Sequence, residues 1–459
     1  MIVIENCAIS TVDSVGSEYG AGHLVVAGDR IVTVGPGPAP ATALAEWDRG
    51  TGPVHRVDGA GCLATPGLVN THHHLYQWAT RGYAQQDPLF GWLARLYPVW
   101  AGIDEQVVAA TTAAGLGWLA LSGCSTSTDH HYVFPRGAGD LFAASVAAAG
   151  EVGVRFHPTR GSMDLGASAG GLPPDSIVES TSAALAATQD AIDRFHDPAP
   201  AAMVRVGVAP CSPFSVTPDL MREAAALARA AGVRLHTHLA ETVQEDEYCQ
   251  GAHGCSPVRY AEKLGWLGPD VWLAHGVHLD PAAIGELARS GTGVAHCPSS
   301  NARLGTGIAP VRELLDAGVP VGLGADGPAS QETGQLGPEL RQALYLARLR
   351  GGPAALTARE ALALGTAGGA RCLGRDGELG SLEPGKLADV ALWRLSGLGH
   401  TGIEDPVAAL VFGPPSTVEL LLVGGRPVVE RGVLTRVSEV DLARDVRGAA
   451  RVLAQRAAA

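Results

Sequence analysis

Hydrophobic positions near the start of the chain come in short runs, Ile2–Ile4, His23–Val26 and Ile31–Val34, cut by Gly, Pro and Asp turns. That spacing predicts a small β-domain. From about Ala64 the rhythm changes, and short β-type runs alternate with Ala- and Leu-rich stretches of helical period, as in βα units. Eight runs read as strands: Ala64–Asn70, Cys124–Asp129, Val154–Thr159, Met203–Ala209, Val233–Leu239, Val271–Ala274, Gly293–Cys297 and Val319–Ala325. The helical stretches between them, Pro218–Ala231 and Pro281–Ser290 among them, open on Pro or Asp. Eight such units in sequence predict an α/β fold, a distorted (β/α)8 TIM barrel. The alternative is an open doubly wound sheet, but no Gly-rich dinucleotide loop follows any strand.

Two more helical stretches follow the barrel, at about Gly337–Leu349 and Ala358–Leu373. The segment Gly380-Ser-Leu-Glu-Pro-Gly385-Lys386-Leu-Ala-Asp389 then leads back into short strands, with another at Val418–Val423. We expect these to rejoin the N-terminal strands in one discontinuous β-sandwich domain, residues 1–63 and 376–459, around a barrel of residues 64–375. The Ala-rich tail Ala449–Ala459 reads as a terminal helix.

Composition narrows the class. A chain of 459 residues that is 46% hydrophobic and 17% charged can bury a large core. Its net charge of −13 argues against a nucleic acid polymer as partner. The eight cysteines form no Cys-x-x-Cys pair, so free thiols and a cytoplasmic setting are expected. Met1-Ile-Val-Ile-Glu5 reads as a first strand rather than a signal peptide, and no apolar run reaches membrane-spanning length.

The chemistry sits at the ends of the predicted strands. The first ends in Asn70-Thr-His72-His73-His74, and alternation puts His72 and His74 on one side of an extended backbone. Strand five ends His236-Thr-His238-Leu-Ala-Glu241, strand six in His275-Gly276, and strand eight in Asp326-Gly327. All lie at C-terminal strand ends, the face on which barrel enzymes build active sites. Singly, a strand-end His is more often a packing residue and Asp-Gly more often a turn. Together they predict a metal site.

Pro66-Gly-Leu-Val-Asn-Thr-His-x-His74, His238-x-x-Glu241, His275-Gly and Asp326-Gly resemble the metal-site motifs of the amidohydrolase superfamily, and within it the deaminase branch. Gly380-x-Leu-x-x-Gly-Lys-x-Ala-Asp389 is similar to that family's small-domain segment. The resemblance implies His72, His74, His238 and Asp326 as ligands of one divalent metal, Zn2+ before Fe2+ or Mn2+. It implies Glu241 and His275 as catalytic groups, with Asp326 sharing that role as proton acceptor. His236 and His73 are left as supporting or packing groups. The binuclear branch bridges two metals with a lysine, usually on strand four; the only two lysines here are Lys263, in a helical stretch, and Lys386 in the small domain, so a mononuclear site follows.

Further stretches resemble 8-oxoguanine deaminases: Asn70-Thr-His-His-His-Leu-Tyr76-Gln77, Thr128-Asp-His-His-Tyr-Val-Phe-Pro135, Arg160-Gly-Ser-Met163, Ala209-Pro-Cys-Ser-Pro-Phe214 and His296-Cys-Pro-Ser-Ser-Asn301. They imply deamination of 8-oxoguanine to urate and ammonia, with an isoxanthopterin- or guanine-like heterocycle or a triazine as alternative substrates and a non-catalytic barrel scaffold as a remote one. A homo-oligomer acting on a small heterocycle is expected. Substrate-binding candidates are Gln77 (or an exposed helix residue), Cys211 (or a small buried hydrophobe) and Trp92, with Trp100 beside it (or core). One departure stands out: Gly327-Pro328-Ala-Ser330-Gln331-Glu332 replaces the family's usual Gly-Ser-Ala-Ser-Asn-Asp, and Pro328 removes a backbone donor beside the site.

Overall fold

The structure, a computed structural model, describes residues 1–45 and 53–458. Residues 46–52, inside the expected N-terminal portion of the small domain, and Ala459 of the expected tail lie outside the described residues.

Eight parallel strands close into a barrel: Leu68–Asn70, Cys124–His131, Arg155–Ser162, Gly207–Pro210, Leu235–Leu239, Val271–His275, Gly293–His296 and Val321–Leu323. Every residue in them is buried, as expected of strands covered by helices outside and filled by side chains inside. The first and last strands have three residues each and meet through the single pair Leu323↔Asn70. Closure there is helped by side chains: Asn70 Oδ1 accepts from Ala325 N at 2.9 Å, and Thr71 Oγ1 donates to Leu323 O at 2.8 Å. The outer helices start as their sequences imply. Thr217 and Asp280 cap Pro218–Ala231 and Pro281–Ser290, each with Pro in the first turn.

The expected first strand splits in two. Cys62–Pro66 pairs antiparallel with Val390–Arg394 and parallel with Ile2–Ser10, so it belongs to the small domain, while Leu68–Asn70 belongs to the barrel. The break falls at Gly67, where a Cβ would lie 2.4 Å from Ser125 Oγ. Only glycine lets the chain cross there from one sheet to the other. Around Cys62–Pro66, strands from both chain ends form one nine-stranded mixed sheet. It bends over a core of its own that includes Ile4, Leu24, Ile31, Val390 and Leu422.

A buried ion pair ties sheet to barrel. Arg155 donates to both carboxylate oxygens of Asp389, at 3.1 and 2.9 Å, and to the carbonyls of Ala201 and Ala202. The expected helix Ala358–Leu373 is interrupted by a π-helical turn at Leu364–Gly368. The cause is close packing: a Cβ on Gly368 would lie 2.1 Å from Val321 O, and one on Gly369 2.7 Å from Val69 O. The last helix runs from Glu439 to Ala458 and buries Ala449 and Leu453 against the preceding layer. None of the described helices is long and apolar enough to cross a membrane.

Candidate active site

The C-terminal ends of strands one, two, four, five, six and eight converge on one buried cluster. Ligand-capable atoms of His72, His74, His130 and His238 all lie within 4.8 Å of one another, as do those of His72, His275 and Asp326. The tautomers follow from what holds each ring from behind. His74 Nδ1 donates to His130 O at 2.7 Å, and His238 Nδ1 donates to Cys211 O at 2.6 Å. His236 Nδ1 donates to Trp272 O at 2.8 Å, leaving its Nε2 to accept from His72 Nδ1 at 2.8 Å. In His72, His74 and His238 the Nδ1 proton is thus spoken for, so each of their Nε2 atoms presents a lone pair to the centre.

Those lone pairs are close. His74 Nε2 and His238 Nε2 stand 3.1 Å apart, and Asp326 Oδ1 lies 3.3 Å from His72 Nε2 and 3.4 Å from His74 Nε2. His72 Nε2 is buried without any hydrogen-bond partner. Two buried lone pairs at such a distance repel unless a cation or a proton lies between them. Ligands about 2.0–2.1 Å from a tetrahedral ion stand roughly 3.3 Å from one another, so three nitrogens and one oxygen so spaced fit a divalent metal. Electrostatics agree. Burial holds the His72 and His238 rings well below the ordinary imidazole range and His74 below it, so all three are neutral. Burial opposes ionisation of Asp326, but its place among the imidazoles, with His275 raised above the ordinary range, keeps its carboxyl well below the usual range.

Two further groups border the cluster. His275 Nδ1 donates to Asn301 Oδ1 at 3.0 Å, which turns Nε2 toward Glu241 Oε2 at 3.6 Å and Asp326 Oδ2 at 4.0 Å. Burial pushes the Glu241 carboxyl up to about 7. Three non-glycine residues here adopt positive φ: Ala240 at 55°, His275 at 75° and Asp326 at 61°. Such strain persists only where neighbours over-determine it. At Ala240 the neighbour is Glu245, whose two carboxylate oxygens accept from Ala240 N and Glu241 N at 2.8 and 2.9 Å.

The remaining sequence candidates reach the same place. Gln77, Trp92 and Cys211 line a narrow cavity with His74, His238, Glu241, His275 and Asp326. Gln77 lies in the short 3-10 helix Leu75–Thr80 and is 1% exposed, with Oε1 unpartnered. Its carboxamide packs onto Gly327, where a Cβ would sit 1.8 Å from Oε1. Trp92 donates from Nε1 to Ala329 O at 3.2 Å, linking the cavity wall to the loop after Asp326. Trp100 is different: it is core, fully buried and bonded to Thr80 Oγ1. In that loop Ser330 Oγ donates to Asp326 Oδ2 at 3.4 Å and receives a bond from Ser300 Oγ. His73 turns away and accepts from His74 N. The two lysines stay outside, Lys263 at the end of helix Pro257–Lys263 and Lys386 bonded to Asp376 O and Ser381 Oγ.

Several residues at the site went unassigned in the sequence. His130 stacks on His238 with ring centroids 4.6 Å apart and donates from Nε2 to Ala209 O. Its signal was visible, a second His-His pair closing a β run, as in the first strand. Tyr132, which also lines the cavity, lies in the Thr128–Pro135 stretch singled out above, whereas Tyr97, on the same wall, and the clamp Glu245 carried no comparable mark.

The chain shows consistent kinships. It is 45% identical over 426 residues to the 8-oxoguanine deaminase of Pseudomonas aeruginosa, covering 92% of each chain. It is 40% identical over 400 residues to an isoxanthopterin deaminase from an unknown prokaryote, covering 82% of each. Among solved structures, the atrazine chlorohydrolase of Arthrobacter aurescens TC1, complexed with zinc, superposes with a TM-score of 0.91 at 34% identity, covering 98% of this chain and 100% of that one. The model of the amidohydrolase family matches residues 63–428, which span the whole barrel and the strands that fasten it to the small domain. With that match, and with three imidazoles and a carboxylate gathered at the strand ends, the chain belongs to the amidohydrolase family.

Proposed function

We propose that the chain is a metal-dependent aminohydrolase that converts 8-oxoguanine and water to urate and ammonia. The convergence of three Nε2 lone pairs and Asp326 carries the reaction class. The substrate rests on the Pseudomonas aeruginosa relative, together with Gln77 and Cys211 lining the cavity. His72, His74, His238 and Asp326 would hold one divalent ion, zinc by its donor set. Bound there, such an ion supplies a water of lowered pKa.

The other steps fall to the chain's own groups. Glu241, its carboxyl near 7, carries a proton through much of the neutral range and sits where it can give it to a ring nitrogen. Protonation there relieves the charge that attack on the amino-bearing carbon would build. His275, fixed by Asn301, orients the attacking water, and Asp326 Oδ2 faces the same space. Gln77 Oε1, an acceptor without a protein partner, can meet a lactam N–H, and the Cys211 thiol borders the same cavity.

Free space between these side chains is only about 30 Å3, room for little more than a water. Leu89, Trp92, Leu93 and Tyr97, which form one wall of the cavity, all come from one helix, Leu89–Trp100. A second reading, an isoxanthopterin or a triazine as substrate, is favoured by the second deaminase and the chlorohydrolase neighbour. Ammonia release assayed across 8-oxoguanine, guanine, isoxanthopterin and hydroxytriazines separates them. No turnover of any oxopurine would overturn the first reading.

A further inference from the structure

At the opposite end of the barrel, below the first residues of strands three, four and five, lies a second cavity of about 220 Å3. At about 30 Å3 per water, that is room for a phosphate-sized ion and part of its hydration shell. His157, His196, Arg205, Arg234 and the Leu373-Gly374 turn line it. No carboxylate is among the lining residues.

The donors there are only partly used. Arg205 bonds Glu378 Oε1 at 2.8 Å and Ala199 O at 3.2 Å, but its Nε is buried without a partner. Arg234 spends Nη2 on Pro269 O and Cys372 O, each at 2.8 Å, has no carboxylate within 4.0 Å among the described residues, and also leaves Nε unpartnered. His157 is 2% exposed and has no partner for Nδ1. His196 Nδ1 accepts from Val206 N at 3.1 Å, so its proton sits on Nε2. Arg375, fully buried, stands behind the group and shares Glu378 with Arg205.

Arg205 and Arg375 thus share one carboxylate, Glu378, while Arg234 pairs with none directly and feels Asp270 and Asp376 only from a distance. This local surplus of positive charge occurs in a chain of net charge −13. The charged side chains that act on His157 (Arg375, Arg234 and Arg205) are all cationic. Buried, unpartnered donors around a cationic cavity are costly unless an anion meets them. Arginine forks and imidazole N–H groups are suited to phosphate oxygens.

We infer that this cavity is a binding site for a small phosphate-type oxyanion, remote from the active site and independent of the substrate proposed for it. The test is calorimetric titration of the full chain with inorganic phosphate in chloride buffer of matched ionic strength, repeated for R234Q and H157L. We expect one saturable site in the wild type with Kd on the order of 1 mM. Each variant should weaken it at least about tenfold, a loss of one charge-assisted contact, with deaminase turnover unchanged as proof of folding. Should one variant fail to fold, the other still decides. A parallel arm with a nucleoside monophosphate identifies the source: equal binding indicates phosphate monoesters, phosphate alone the free ion. Absence of saturable binding to the wild type, or the same Kd in wild type and variants, would overturn the inference.

Discussion

His236 is the most informative residue to perturb, because it touches none of the chemistry and yet sets the protonation of a group that does. Its Nδ1 donates to Trp272 O, its Nε2 accepts from His72 Nδ1, and that bond leaves the His72 Nε2 lone pair facing the centre. Burial pushes the His236 ring down to about 3, so it stays neutral and remains an acceptor throughout the working range. H236L removes the acceptor for His72 Nδ1, along with the donor to Trp272 O and the ring stacked on Trp272, and leaves the ligand side chains themselves in place. The His72 Nδ1 proton is then stranded in a fully buried site, at a cost of about 1–3 kcal/mol. Moving the proton to Nε2 relieves the cost by spoiling the ligand. Either way metal affinity falls, and loss of such a supporting partner typically weakens binding about 10–100-fold, or roughly 1.4–2.7 kcal/mol. The two estimates agree. Competition of wild type and H236L with a chromogenic zinc chelator reads the constant directly, and excess metal should restore much of the activity. An unchanged metal constant in a folded H236L would refute both the tautomer relay and the ligand role of His72.

Three other outcomes follow from the same geometry. E241Q should retain metal content and fold while kcat falls about 10²–10⁴-fold, as loss of a proton donor does, measured by steady-state ammonia release. Asp129 is buried with Oδ2 unpartnered, and burial raises its carboxyl from 3.8 to about 7. Because the folded value is the higher one, its stabilising contribution is complete below about pH 4 and is lost as pH rises to about 7. D129N keeps the acceptor for Leu75 N, so its melting temperature should gain on the wild type between pH 5 and pH 7 and hold that gain above. D389A, which strands the Arg155 guanidinium, should cost about 3–5 kcal/mol, whereas R155M/D389L should cost clearly less; equal losses on thermal unfolding would count against the pair as the link between sheet and barrel.

How much of this was legible in the sequence depends on how local each signal is. Strands such as Val271–His275 are visible as short apolar runs, although Cys124–His131 and Arg155–Ser162 are buried while largely polar, and His72, His74, His238 and Asp326 are visible because they fall at strand ends. The split of the first run was not. Leu63, Ala64 and Val69 are equally apolar and equally buried, and what separates them is the contact of Gly67 with Ser125, distant in sequence. The π-helical turn at Leu364–Gly368 was hidden for the same reason, since it answers the carbonyls of Val321 and Val69. Pro328 reads alone as a disturbance beside the metal. In place it sits in a tight turn where Ser330 N and Gln331 N both reach back to Gly327 O, and Asp326 keeps its position.

The supporting layer of the site was the least legible, and the reason is physical. A ligand's lone pair is a property of one residue type, readable at a strand end. Its direction depends on acceptors that are mostly backbone carbonyls, those of Trp272, His130 and Cys211, which any residue supplies. Likewise Glu245 is an ordinary first-turn acidic residue of helix Val243–His253 until Ala240 is seen at positive φ with its N–H aimed at that carboxylate. What distinguishes this site from a chance cluster of histidines is therefore carried by main-chain groups. Substituting the ligands tests the chemistry, but substituting His236 and Glu245 tests whether the fold was built to support it.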